Sequence, residues 1–120
     1  MTDATREELE RRLGEDGLTI LDVRSLGEFT GELGAPCDPR KGRLPGALHL
    51  ELQELMRLTA DEIRERLRVE EGAEVVAYCH SGSRSGLAAQ ILRAAGLEAR
   101  NYPGSWHEWS RADDLPYESG

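Results

Sequence analysis

The chain has 120 residues, 38% of them hydrophobic and 32% charged, and carries a formal net charge of −8 at pH 7. That balance suits a single domain over residues 1–120 with its own core, and it excludes wholesale disorder. It also repels nucleic-acid phosphate, and no apolar run is long enough to cross a bilayer, so neither nucleic acid nor membrane is an expected partner.

The N-terminal stretch MTDATREELERRL is charged and lacks the apolar core of a signal peptide, which makes a cytoplasmic location the expectation. Within it, Thr5-x-x-Glu8 reads as a capping box opening a helix, with Leu9 and Leu13 on one face and Gly14 and Gly17 as stop signals. LTILDVR (18–24) reads as a buried strand, and SLGEFTGE as a short helical turn. Residues 33–47, with three prolines, form the clearest loop. ALHL (47–50) reads as a second, short strand. Thr59-x-x-Glu62 repeats the capping pattern for a helix that Gly72 is expected to end. EVVAY (74–78) is a third strand. RSGLAAQILRAAG (84–96) reads as a helix with an apolar stripe of Leu87, Ala88, Ile91, Leu92 and Ala95, closed by Gly96 at C′. EARNY suggests a fourth strand, and the remainder a short helix and tail. Strands that alternate with helices predict an α/β fold: a mainly parallel central sheet flanked by helices on both faces.

The candidate functional residue is Cys79, one position past EVVAY. Ligands of open α/β sheets gather outside the carboxyl ends of the strands. A helix starting near Arg84 aims its unpaired N–H groups back at that end. His80, Ser81, Gly82, Ser83, Arg84 and Ser85 supply a loop of small residues, in which Gly82 lets the backbone curl into an anion nest. A thiolate is an anion, and helix N-termini and neighbouring Arg lower a cysteine's pKa. Cys79 is therefore expected to be ionised near neutrality and nucleophilic. The competing reading is a buried small hydrophobe at a strand end. Cys37 sits among prolines with no helix start behind it and reads as incidental, a resolving thiol being the alternative. With no CxxC pair and no HExxH, neither a metal nor another cofactor is expected.

Cys79-His80-Ser81-Gly82-Ser83-Arg84-Ser85 resembles the CxxGxRS active-site loop of rhodanese-like sulfurtransferases. Further stretches match in order: LDVRSLGEFTGE (21–32), GRLPGALHL (42–50), and NYPGSWHEW (101–109), which is similar to the segment closing the catalytic second domain of thiosulfate sulfurtransferases. The resemblance runs over about residues 18–110. It implies a rhodanese fold and a double displacement: Cys79 takes the outer sulfur of a small anionic donor such as thiosulfate, becomes a persulfide, and passes the sulfur to cyanide, a thiol or a sulfur-relay protein. The amides of His80 to Arg84 would hold that sulfur, and Arg84 would either bind the donor or brace the loop. Asp22 and Arg24 match the family's D-x-R pair, as supports of the loop or simply an ion pair finishing the first strand. Glu28 stands where mercaptopyruvate-using relatives carry a substrate-binding Arg, and those relatives show a loop like C-G-S-G-V-T. Both departures favour thiosulfate. Arg43 replaces the family's usual His. Trp106 and Trp109 read as packing of the last helix, His107 as surface, and His80 as either a tuner of the thiolate or a solvent-facing side chain.

Other classes fit less well. A cysteine phosphatase or arsenate reductase loop is C-x5-R, and here only four residues separate Cys79 from Arg84. A serine hydrolase needs Ser two residues after Gly82, where Arg84 stands. A sulfur carrier or binding module of the same fold would keep Cys79 but turn over little free thiosulfate.

Overall fold

The computed structural model describes residues 2–120. Four parallel strands form one sheet: β1 (Leu18–Asp22), β2 (Leu48–His49), β3 (Glu74–Tyr78) and β4 (Glu98–Asn101), in the order β2-β1-β3-β4. The helices are α1 (Arg6–Arg12), α2 (Leu26–Thr30), α3 (Leu52–Leu55), α4 (Ala60–Leu67), α5 (Ser83–Ala94) and α6 (Ser105–Trp109). The chain reverses its direction of travel across the sheet between β1 and β3, whose carboxyl ends are paired at Asp22 and Tyr78. That switch point is where an α/β sheet offers a crevice.

Alternation along the strands divides the core in two. Leu21, Val23, Val75, Ala77 and Cys79 face a cluster with Leu52, Leu55, Ile63, Leu67, Ala88 and Leu92, from α3, α4 and α5. Ile20, Val76 and Tyr78 face the opposite cluster with Leu9, Trp106 and Trp109, from α1 and α6. Helices thus cover both faces. Cys79 continues the odd-numbered series and so lands on the α5 face.

Several local expectations are corrected. Thr5 accepts from the Glu8 amide, but the Glu8 carboxylate is drawn away to Arg12 and Arg100, so only half of that capping box forms. Complete boxes form at Thr59–Glu62 and, unanticipated, at Ser25–Glu28 opening α2. Helix α4 stops at Leu67, well before Gly72, because Arg68 itself takes the left-handed conformation at φ 57°. Helix α3 was not expected; its cap residue Glu51 makes no side-chain cap bond. On α5, Leu87 is 42% exposed, and Ala89 takes its place in the core. Gly96, at φ 90°, does close α5: its amide donates to Arg93 O and that of Leu97 to Leu92 O, a Schellman pattern. Among the described residues no helix is long and apolar enough to cross a membrane.

Candidate active site

The Cys79 side chain is buried, 1% exposed, beneath a loop whose Ser81 and Ser83 are open to solvent. Three groups donate to its sulfur: the Gly82 amide at 3.1 Å, the Ser85 amide at 3.4 Å and the Ser85 hydroxyl at 3.3 Å. Burial pushes the thiol pKa up. The Ser85 hydroxyl and amide, with the Gly82 and Ser81 amides, more than offset that, and the net result lies below the ordinary thiol value. The nest is therefore built from Ser81, Gly82 and Ser85 rather than from a continuous run of amides, and the Ser85 hydroxyl is its one side-chain donor.

Two features hold the loop in this curl. Gly82 is the N-cap of α5 at φ 96°, and a Cβ there would stand 2.7 Å from the Pro103 carbonyl oxygen. Only glycine accommodates both the backbone and the contact. On the other side, the Cys79 amide donates to Ser105 Oγ at 3.1 Å, and the amides of Trp106 and His107 donate to the carbonyls of Cys79 and His80 at 3.0 and 2.9 Å. Ser105 adopts φ 54°, and its hydroxyl donates to Tyr102 O. Sequence reasoning assigned Ser105 nothing. Its signal was the NYPGSWHEW stretch, whose first helical turn receives the loop's carbonyls.

The remaining candidates fall into place around this nest. Arg84 is part-exposed and pairs through Nη1 with Glu28 Oε1 at 3.3 Å. Burial raises the Glu28 carboxyl, and Arg84 and the Ser25 amide pull it below the usual carboxylate range. Asp22 and Arg24 form a fully buried ion pair at 2.7 Å at the end of β1. Tyr78 donates to Asp22 Oδ2 at 2.9 Å, and Arg24 donates to the Gly42 carbonyl at 2.5 Å. The Arg24 guanidinium also lies 5.3 Å from the Trp106 ring centre. The pair thus braces the neighbouring strand end. His80 is half-buried against Asp38, and His107 is exposed. Trp106 and Trp109 are both buried in the core and donate to Arg40 O and Pro116 O.

The Ser85 hydroxyl yields a direct test of the nest. Removing it in Ser85→Ala deletes a donor to the charged form only, so the thiol pKa rises. A lowered pKa keeps the thiolate present down to a lower pH, so raising it moves the acidic limb of the thiolate titration upward. Ultraviolet thiolate absorbance followed against pH is expected to show that upward movement. An unmoved curve would remove Ser85 from the nest.

A cysteine at the carboxyl end of a parallel strand, with amides at a helix start donating to its sulfur, places the chain among α/β domains built to favour an anion at that strand end. The comparisons narrow that class. The profile of the rhodanese-like domain matches residues 5–112. The chain belongs to the rhodanese-like domain family. It is 33% identical over 124 residues to the thiosulfate sulfurtransferase of Pseudomonas aeruginosa, covering 96% of this chain and 45% of that protein. It is 34% identical to a probable 3-mercaptopyruvate sulfurtransferase of the same organism, covering 93% of this chain and 43% of the relative. A crystal structure of a probable thiosulfate sulfurtransferase superposes with a TM-score of 0.83 at 43% identity, over 97% of this chain and 47% of that one. The chain spans less than half the length of these relatives.

Proposed function

We propose that the chain is a sulfurtransferase whose nucleophile is Cys79. The observation that carries this reading is the convergence of two amides and a hydroxyl on one buried sulfur. Such donors act on charge that is already fixed in place, and they would serve the terminal sulfur of a persulfide as they serve the thiolate. In the first half-reaction the thiolate attacks the outer sulfur of thiosulfate. The sulfur–sulfur bond of the donor breaks, sulfite leaves with the electron pair, and Cys79 carries an anionic persulfide. In the second, cyanide or a thiolate attacks the terminal sulfur and the Cys79 thiolate departs. No general base is required when the thiol is already ionised.

Thiosulfate is the favoured donor. Glu28, ion-paired with Arg84, stands where mercaptopyruvate-using relatives of the resembled family carry a substrate-binding Arg, so the cation that would hold a carboxylate donor is replaced by an anion. His80 to Ser85 form the binding loop, and Asp22 with Arg24 supports it from β1.

Mass spectrometry of the protein after exposure to thiosulfate is expected to show a gain of one sulfur atom on Cys79, discharged by cyanide with repeated thiocyanate formation. Loading that stops at one equivalent, with no turnover, would select the carrier reading. No gain of sulfur would overturn the proposal.

A further inference from the structure

Beside the sulfur-binding loop, four donor side chains from three separate segments meet: Cys37, Asp38, His80 and His107, whose candidate ligand atoms all lie within 4.8 Å of one another. The Asp38 side chain is only 1% exposed. Its two oxygens are used unequally. Oδ1 lies 3.2 Å from His80 Nε2 and accepts from Arg111 Nη1 at 3.2 Å. Oδ2 is buried and makes no hydrogen bond of acceptable geometry, with His80 Nε2 3.1 Å away. A buried carboxylate oxygen without a donor is costly and suits a cation.

The surroundings hold the four donors in place. Arg111 donates to the carbonyls of Cys37 and His107, both at 2.7 Å, and to Asp38 Oδ1. The imidazoles of His80 and His107 meet edge to face, with centres 5.5 Å apart. Tetrahedral zinc with nitrogen and oxygen ligands at about 2.0–2.2 Å spaces its donors roughly 3.3–3.6 Å apart. The separation of His80 and Asp38, 3.1–3.2 Å, is already close to that, and all four donor atoms lie within 4.8 Å of one another.

We propose that Cys37, Asp38, His80 and His107 form a binding site for a divalent transition-metal ion of the zinc class. One thiolate, one carboxylate and two neutral imidazoles balance a dication and match the ligand types that zinc selects. Binding releases the Cys37 proton. The ion ties the residue following Cys79 to the 37–38 loop and to α6, with all four positions filled by protein.

The test is titration of the full chain with Co2+, a spectroscopic stand-in for zinc, under reducing conditions. One equivalent is expected to bind with a thiolate-to-cobalt charge-transfer band, and Zn2+ is expected to displace it. Cys79→Ser is expected to keep the band, which separates this site from the sulfur-transfer cysteine. Cys37→Ser is expected to lose it, and His107→Ala to weaken binding by more than about tenfold. Both Cys37 and His107 are exposed, so these variants fold. No band in the unmodified protein, a band that survives Cys37→Ser, or one that disappears in Cys79→Ser overturns the proposal.

Discussion

Cys79→Ser is expected to reduce sulfur transfer from thiosulfate to cyanide by on the order of a thousandfold or more, because a neutral hydroxyl replaces the proposed nucleophile. The same variant is expected to fold. Cys79 belongs to the core cluster on the α5 face rather than to an exposed loop edge, so the replacement is not free. The incoming hydroxyl inherits the Gly82 and Ser85 amides as donors, which keeps the added polar atom satisfied. A loss of about 1–2 kcal/mol in unfolding free energy is the expected scale. Thiocyanate formation and urea unfolding, measured on the same preparation, check the two halves. Near-normal turnover in the variant would show that another group carries the sulfur.

What could be read from the sequence depended on how far apart the interacting residues lie. The thiol loop was legible because every element of its chemistry is local: a strand end, glycine at the helix N-cap, and a helix start fall within eight consecutive residues, Tyr78 to Ser85. Strands β1 and β3 were legible for the same reason, as short apolar runs bounded by turn residues. Helix boundaries were less so. Glycine at 72 is a reasonable stop signal, yet Arg68 takes the left-handed conformation, its amide donating to Arg64 O and Glu65 O, and ends α4 earlier. The Thr5 box failed because Glu8 finds Arg100 from β4 across 92 positions of sequence. Helix α3 has no side-chain cap bond and spans a single turn, so no capping pattern or periodicity marks it.

Non-local partners were out of reach altogether. Glu28 and Arg84 are 56 residues apart, and Asp38 meets His80 across 42. A metal motif is recognised by short spacing, and the cluster at Cys37, Asp38, His80 and His107 has none. Its members converge only because α6 is docked onto the loop through the carbonyls of Cys79 and His80. Ser105 escaped notice because a serine at positive φ leaves no trace in composition.

Arg24→Met is expected to destabilise the protein by about 3–5 kcal/mol, the scale for stranding one member of a buried ion pair. Asp22 would keep the Tyr78 hydroxyl and the residue 24 amide as donors, but would lose the guanidinium that donates to both of its oxygens. The Gly42 carbonyl would lose its donor as well. The damage should extend to the Cys79 loop. Arg24 lies over the Trp106 ring, and the Trp106 amide holds the Cys79 carbonyl, so loosening one end of that chain releases the other. Urea unfolding is therefore expected to show a lower midpoint together with weaker transfer activity. The double variant Asp22→Leu/Arg24→Met is expected to regain part of the stability, since it removes the orphaned charge, but not the activity, because the aromatic bridge to α6 is still missing. An unchanged midpoint in the single variant would mean that the pair is solvated, and its role as the brace between β1 and the loop would fall with it.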